Sequence, residues 1–394
     1  MNIDTLRAET PGCAQRIHLN NAGSALVPEP VLRTVQDHFE LESRIGGYEA
    51  AAARADEIHA AYRRVAQLIG AEPRNIAFTE SATASFAQAL SSLALERGDV
   101  VLTTRNDYVS NQIQFLSLRR RFGIEVLRAP DAAAGGVDAG AMGALIRRHR
   151  PRIVCVTHVP TNSGLVQDVA AVGAACRESE TLYLVDACQS VGQMPVDVRD
   201  LGCDFLSATS RKYLRGPRGA GFLFASDRVL ELGLEPLFID MHGAEWIDEG
   251  RYRAMPSAQR FETFEFAWAL VLGTAEAARY ALALGLEPIR DRVRALAERL
   301  RDALRATEGV RVLDRGKELC GIVSIALGEH DPAALMAALR EQRINTNAQI
   351  RAYALLDYDD KGVRASLRLS PHYYNTDDEI DLAVAAIREW LSSR

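Results

Sequence analysis

The sequence predicts an α/β domain built on a mostly parallel sheet, followed by a smaller α+β domain. Three observations carry this reading. From Asn75 to about Ala225, short apolar runs alternate with helix-length segments, the pattern of strands joined by crossover helices. Several of the runs are apolar at consecutive positions, as expected when helices cover both faces of a sheet. Beyond two long helical stretches, Ala267–Leu284 and Glu287–Thr307, the order of elements changes.

The elements follow in order. Strand patterns occupy Asn75–Phe78, Val100–Thr103, Ile153–Thr157, Leu182–Val185, Phe205–Ser207 and Gly221–Phe224, with helical patterns at Ala82–Arg97 and Gly140–His149 between them. In the second part, Val310–Leu313 and Ile322–Ala326 read as strands, Asp331–Gln342 as a helix and Val363–Leu369 as a strand. Asp377–Leu391 is a closing helix, with acidic residues in its first turn. The expected division is an N-terminal arm (1–16), a large domain (17–265), and a long linking helix with the small domain (266–394). No internal repeat or low-complexity linker interrupts it.

Composition narrows the function. A chain of 394 residues with 48% hydrophobic and 25% charged residues suits a two-domain globular protein. The net charge of −6 and the lack of a long basic run give no reason to expect a nucleic-acid partner. The densest basic cluster, Arg119–Arg121, reads as a solvated helix end. Six scattered cysteines form no CxxC pair and no metal-like spacing, so no metal is expected, and they read as reduced thiols of a cytoplasmic protein. Met1–Thr5 lacks the basic start and apolar core of a secretory signal. The apolar stretch Phe264–Leu286 is interrupted by Glu265, Glu276 and Arg279, so it reads as a buried helix and no membrane association is expected.

The chemistry-bearing residues cluster at predicted strand ends. Asp186 closes the run Leu182–Val185, and Gln189 follows it. Ligands of open α/β sheets sit outside such carboxyl ends, although Asp there is also a routine helix cap. After the next run comes Thr209-Ser210-Arg211-Lys212, then Arg215-Gly216-Pro217-Arg218-Gly219. Arg211 offers a planar fork to a dianion, and Gly216 and Gly219 let the chain turn tightly. Lys212 acts as a nucleophile only when neutral, which desolvation and neighbouring cations favour. Phe78-Thr79-Glu80-Ser81-Ala82-Thr83 ends a strand and opens a helix. The Ala82 amide and Thr83 hydroxyl can donate to a phosphate, or the segment can serve as a simple cap. Tyr108, in Asn106–Asn111 after another strand end, offers a ring for stacking or for packing. Together these are the parts of a pyridoxal 5′-phosphate (PLP) site. Its lysine amine condenses with the cofactor aldehyde, and its acid keeps a proton on the pyridine nitrogen so that the ring accepts electrons.

These residues resemble the class V aminotransferase family of fold-type I PLP enzymes, which includes cysteine desulfurases, selenocysteine lyases, isopenicillin N epimerase and ergothioneine-pathway C–S lyases. The resemblance covers nearly the whole chain. It rests on His18-Leu19-Asn20-Asn21-Ala22-Gly23, on Asp186-Ala187-Cys188-Gln189 (D-x-x-Q), on Thr209-Ser210-Arg211-Lys212 (S-x-H-K), and on Arg368-Leu369-Ser370-Pro371-His372-Tyr373-Tyr374-Asn375-Thr376 (R-x-S-x-x-x-Y-N-T). It implies a large domain with a mostly parallel seven-stranded sheet and a homodimer with a shared active site. It also implies that Lys212 carries the cofactor and moves protons, and that Asp186 pairs with the ring nitrogen. Gln189 would bond the phenolic oxygen, and Tyr108 would take the place of the stacking histidine. Ala82, Thr83, Thr209 and Arg211 would hold the phosphate. Arg368 would bind the α-carboxylate of a small amino-acid substrate, with Arg364 as the competing candidate. Asn21 would contact the substrate, and Thr161 or Asn162 the cofactor side.

The departures from the family pattern narrow the reaction. Arg211 stands where the family has histidine, and Arg260–Glu265 stands where desulfurases have a Gly-Thr-Pro loop that reaches the partner subunit's phosphate. The loop Ile344–Tyr353, before Arg368, holds no cysteine, and Cys320 lies too early. Persulfide formation needs a thiolate on that loop, so desulfuration is not expected. The leading expectation is a C–S β-lyase on a cysteine S-conjugate or sulfoxide, giving pyruvate, ammonia and a sulfur product. Transamination, epimerisation, and decarboxylation or oxidative deamination of an S-conjugate are the enzymatic alternatives. A non-catalytic PLP-binding protein is the other class. A dinucleotide-binding protein is disfavoured because no G-x-G-x-x-G follows a first strand. Arg251, Arg253 and Arg343 could bind an acidic substrate side chain, with surface ion pairs as the simpler role.

Overall fold

The computed structural model describes residues 1–394. Its centre is a seven-stranded sheet made of β1 (Ile76–Thr79), β2 (Val100–Thr103), β3 (Glu125–Arg128), β4 (Ile153–Thr157), β5 (Leu182–Asp186), β6 (Phe205–Thr209) and β7 (Gly221–Ala225). Their spatial order is β1-β7-β6-β5-β4-β2-β3. Six strands run in one direction, and only β7 runs against its neighbours. The central strands are buried on both faces, which is why their sequences are continuously apolar.

Six of the seven strands lie where the apolar runs place them. β3 escapes the pattern. It is an edge strand, mostly half-exposed, with Glu125 and Arg128 at its ends, so its two apolar residues make no visible run. The helix expected over Ala82–Arg97 ends early, at Ser91. There the hydroxyls of Ser91 and Ser92 donate to the carbonyls of Gln88 and Ala89 (2.9 and 2.7 Å), a competition that favours helix termination.

The helix Trp268–Leu284 is buried along ten of its 17 residues, against the helices Glu29–Ile45 and Ala55–Leu68. Its Ala and Gly residues permit that approach: a Cβ on Gly273 would meet Val35 at 2.5 Å. No single helix of the chain is long and apolar enough to cross a membrane.

A second, four-stranded antiparallel sheet joins Arg311–Val312, Val323–Ala326, Ala365–Leu369 and Asn347–Ile350. The helix Asp377–Ser392 covers it, started by a capping box between Thr376 and Glu379. Each sheet has its own core, and the chain passes from the largest core to that of the second sheet at a place the sequence did not mark. Val271, Ala275, Ile289 and Val293 belong to the larger core, whereas Leu296, Leu300 and Leu304 belong to the smaller. The change of core therefore falls inside the helix Leu286–Arg305, not at residue 266. At the other end, Ile17–His18 pairs in parallel with Ile344–Asn345, and Leu19 lies in the smaller core. The chain after residue 16 thus starts against the small domain. The reason is that Leu19, fully buried, gains about 1.5–3 kcal/mol wherever it finds apolar cover, and that cover is supplied by distant chain.

Candidate active site

The carboxyl ends of the central strands fall on one edge. Thr157, Asp186 and Ser207 are successive partners across β4, β5 and β6, and Gly221 lies opposite both Thr79 and Thr209. Gly221 permits the next element to close in: a Cβ there would meet the Ala82 amide nitrogen at 2.9 Å. A cavity of about 270 Å³ opens along this edge. It is lined by Ala82, Thr83, Tyr108, Asp186, Gln189, Thr209, Arg211 and Lys212, among others. The structure thus brings together, in one cavity, residues that lie 130 positions apart.

At one end is the start of the helix Ala82–Ser91. Ser81 caps it by accepting from the Ala84 amide (3.2 Å), so capping does occur there. The amides of Ala82 and Thr83 stay outside that bond, beside Thr209, Arg211 and Arg218 on the cavity wall. Free amides, a helix dipole and two guanidinium groups form a suitable seat for a dianion.

Lys212 is buried, and its Nζ lies 5.8 Å from the centre of the Tyr108 ring. Burial pushes its pKa below the usual lysine range. Cys188 and Asp186 act against this, while Arg211 and Arg368 reinforce it. A neutral amine facing a ring-sized space is what a covalent cofactor link needs.

Asp186 caps no helix. Its Oδ1 accepts from the Cys188 amide (3.0 Å) and its Oδ2 from Asn111 Nδ2 (3.1 Å). Asn111 lies one helical turn after Tyr108, in the helix Val109–Phe122. Its neighbour Asp107 is fully buried, and burial pushes its pKa up despite donors from Thr157, Gln112 and Asn111. Asn111, Thr157 and Asp107 were missed as site residues. The i to i+3 spacing from Tyr108 to Asn111 was the available signal.

Gln189 donates Nε2 to Thr161 Oγ1 (3.0 Å) and to the Ala22 carbonyl (3.1 Å), and its Oε1 is buried without a partner. Thr161 lines the cavity, whereas Asn162 turns away to Asp357 (2.6 Å). Arg368 is buried behind Thr161. Its Nη1 donates to the Thr161 carbonyl and hydroxyl (2.9 and 2.8 Å), and its Nη2 to Asn20 Oδ1 (3.1 Å). Nε has no acceptor, and burial pushes the group's pKa down to about 10. Arg364 is exposed and takes no part.

Asn21 does not line the cavity. Its amide is spent on the Ser370 and His18 carbonyls (2.7 and 3.2 Å), and its Oδ1 accepts from the Tyr374 hydroxyl. Its neighbour Asn20 is the residue that braces Arg368. The three arginines considered for a substrate side chain lie elsewhere. Arg251 and Arg253 pair with Asp248 and Glu245 on the exposed hairpin Ala244–Ala254, and Arg343 is exposed. No cysteine occupies Asn347–Ile350, whose Asn347 lies opposite Arg368. Cys188 supplies the cavity's only thiol, and burial pushes its pKa well up.

The family model for aminotransferase class-V matches residues 17–382. This chain belongs to the class V aminotransferase family. Its class V relatives include a probable cysteine desulfurase of Methanothermobacter thermautotrophicus, 28% identical over 99% of this chain and 98% of the relative. The cysteine desulfurase IscS of Photobacterium profundum is 30% identical over 84% of this chain and 81% of its own. Among solved structures, the apo cysteine desulfurase of Thermococcus onnurineus NA1 superposes with a TM-score of 0.92 at 24% identity, covering 100% of this chain and 99% of that one. The cystine C–S lyase C-DES, solved with its product cysteine persulfide, superposes at 0.86 with 22% identity, covering 96% and 99%. The fold is therefore fold-type I, and this class V enzyme is PLP-dependent and cysteine desulfurase-like. The residues on the page fit the cofactor. Lys212 would meet its aldehyde, Asp186 its ring nitrogen, and the Ala82–Thr83 amides and Arg211 its phosphate, while the buried Gln189 Oε1 is left without a partner.

Proposed function

We propose that this enzyme is a C–S β-lyase acting on a cysteine S-conjugate or cysteine sulfoxide, with pyruvate, ammonia and a sulfur product released. The observation that carries the reading is the thiol-free segment Asn347–Ile350 opposite Arg368. Without a nucleophile there, sulfur leaves with its own substituent instead of passing to the protein. The C-DES fold, which hosts cystine C–S cleavage, supports it.

When bound, PLP supplies an electron sink for the pair left at Cα after proton loss. The protein does the rest. Arg368 holds the α-carboxylate through its unpartnered Nε edge, and Thr161 and Asn20 fix the guanidinium plane. Lys212 would take the Cα proton and return a proton to the departing sulfur. Asp186 keeps the ring nitrogen protonated, and Tyr108 covers the ring.

The test is incubation of the purified enzyme with S-substituted cysteines and their sulfoxides, with products identified by mass. Steady pyruvate and thiol release without a keto-acid acceptor is expected. Alanine formed from free cysteine instead would establish the second reading, desulfuration, which the names of the relatives favour. Acceptor-dependent amino transfer, or racemised substrate, would overturn the lyase.

We also infer a cytoplasmic homodimer with a shared site, divided into arm, large domain and small domain as the sequence expects, with the boundary shifted as described. Phe238, Trp246 and Tyr48 are 83%, 80% and 77% exposed, and Trp246 sits opposite Tyr252 on the hairpin. Large exposed aromatic groups, with Trp246 and Tyr252 side by side, support that reading. Light scattering that returns a monomer of full activity would sink the dimer.

A further inference from the structure

The cavity wall has a second layer. Asp107 is buried and receives five donors. Its Oδ1 accepts from the Tyr108 amide (2.7 Å), from Asn111 Nδ2 (3.2 Å) and from the Thr157 hydroxyl. Its Oδ2 accepts from Gln112 Nε2 (2.7 Å) and the Thr103 hydroxyl (3.0 Å). Gln112 is held in turn by Arg128, which donates to its Oε1 (3.0 and 2.6 Å). The same Asn111 amide donates to Asp186 Oδ2 (3.1 Å). One carboxylate therefore fixes both the start of the helix that carries Tyr108 and the amide that orients Asp186.

We propose that Asp107 is a positioning residue that sets the placement of Asp186 and Tyr108 against the cofactor ring. A carboxylate offers about four acceptor sites and no donor, so the amides and hydroxyls around it can all aim at it, with one site shared between two of the five. No other common side chain of that length does this. An asparagine would aim its own NH₂ at groups that are already donors, leaving at least one of them unsatisfied in a buried place. Asn111 and the Tyr108 backbone are the groups free to move, since Thr103 and Thr157 sit in strands. A shift there turns Asp186 relative to the ring nitrogen and tilts the Tyr108 ring, although neither side chain is altered.

The inference rests on the assignment of Asp186 to the ring nitrogen, so Asp186→Asn is measured in parallel. The readouts are the position of the visible band of the bound cofactor, the dissociation constant from titrating apoenzyme with PLP, and kcat against KM. Asp107→Asn is expected to shift the band, weaken cofactor binding about tenfold and lower kcat more than it raises KM. Thr103→Val, which removes one distant donor without touching the cavity, is expected to move all three in the same direction by a smaller amount. A purely structural Asp107 would lower the melting temperature and leave the band and the cofactor affinity of the folded protein at wild-type values, which overturns the proposal. Should Asp107→Asn fail to fold, Thr103→Val decides: an unchanged band and affinity overturn it. If Asp186→Asn also leaves the band unchanged, the site assignment itself fails; if only Asp186→Asn moves it, the assignment stands and the Asp107 inference falls.

Discussion

Two buried arginines, Arg215 and Arg368, differ in a way that separates scaffold from site. They are 1% and 4% exposed, and neither meets a carboxylate. Arg215 is fully engaged. It donates to the Leu26 carbonyl (2.9 Å) and to the Tyr373 and Thr10 hydroxyls (both 2.6 Å). Its guanidinium also lies 4.5 Å from the Tyr374 ring centre and 5.1 Å from that of Tyr373. Burial works against its charge, but the surrounding tyrosines more than offset this, and its pKa is raised. Arg368 keeps an Nε without an acceptor, and its pKa is lowered by burial. The lesson is that burial alone does not mark function. A buried cation whose nitrogens each have an acceptor holds the fold; one with an unpartnered nitrogen is a candidate to take an anion.

The comparison can be tested by breaking each side of it. The largest effect belongs to the covalent anchor the arginines flank. Lys212→Ala should abolish the visible band of bound cofactor and lower turnover by about 10³-fold or more, read by absorbance and pyruvate release. Next comes Arg368→Met, which should lower kcat/KM by about 10²-fold, roughly 3 kcal/mol, mainly through KM, with little change in melting temperature. Arg215→Met should show the reverse. It removes the donors to the Tyr373 hydroxyl and the Leu26 carbonyl and one of the two bonds of the Thr10 hydroxyl, so a loss of about 2–3 kcal/mol of stability is expected, read by denaturant melts, with KM near wild type. Asn20→Ala removes one brace from Arg368 and should raise KM by about three- to tenfold, while Asn21→Ala should act on stability.

The lowered pKa of Lys212 sharpens the picture through pH. The neutral amine is the form that captures the aldehyde, and its fraction rises with pH until the pKa is passed. Because burial lowers that pKa, the rate at which apoenzyme takes up PLP should rise with pH and level off below the ordinary lysine value of 10.5. Stopped-flow absorbance across that range would show it; a rate still climbing at the ordinary value would contradict the buried amine.

Much of the site was legible because its parts are local. A strand end followed by Asp186 and Gln189, or by Thr209 to Lys212, is a short segment whose geometry follows from its own pattern. Other parts depend on chain far away. Arg364 and Arg368 have the same parity, so alternation could not choose between them; the R-x-S-x-x-x-Y-N-T motif pointed to Arg368, and the Thr161 loop that engages it comes from distant chain. Asn20 and Asn21 are adjacent, and only the bridge from Asn20 to Ser370 fixes which of them faces Arg368. Asp107 drew no reading from its own segment, because its donors come from two strands and the start of a helix.

The sequence by itself determined the alternating α/β architecture, the candidate lysine and acid at strand ends, and the thiol-free loop, since each is written in periodicity or in residue identity along a short span. The tertiary structure alone decided where the chain changes core, how Thr161 and Asn20 hold the Arg368 guanidinium, and what stands behind Asp186. Those depend on side-chain direction and on burial by distant segments, and neither is fixed until the sheet closes.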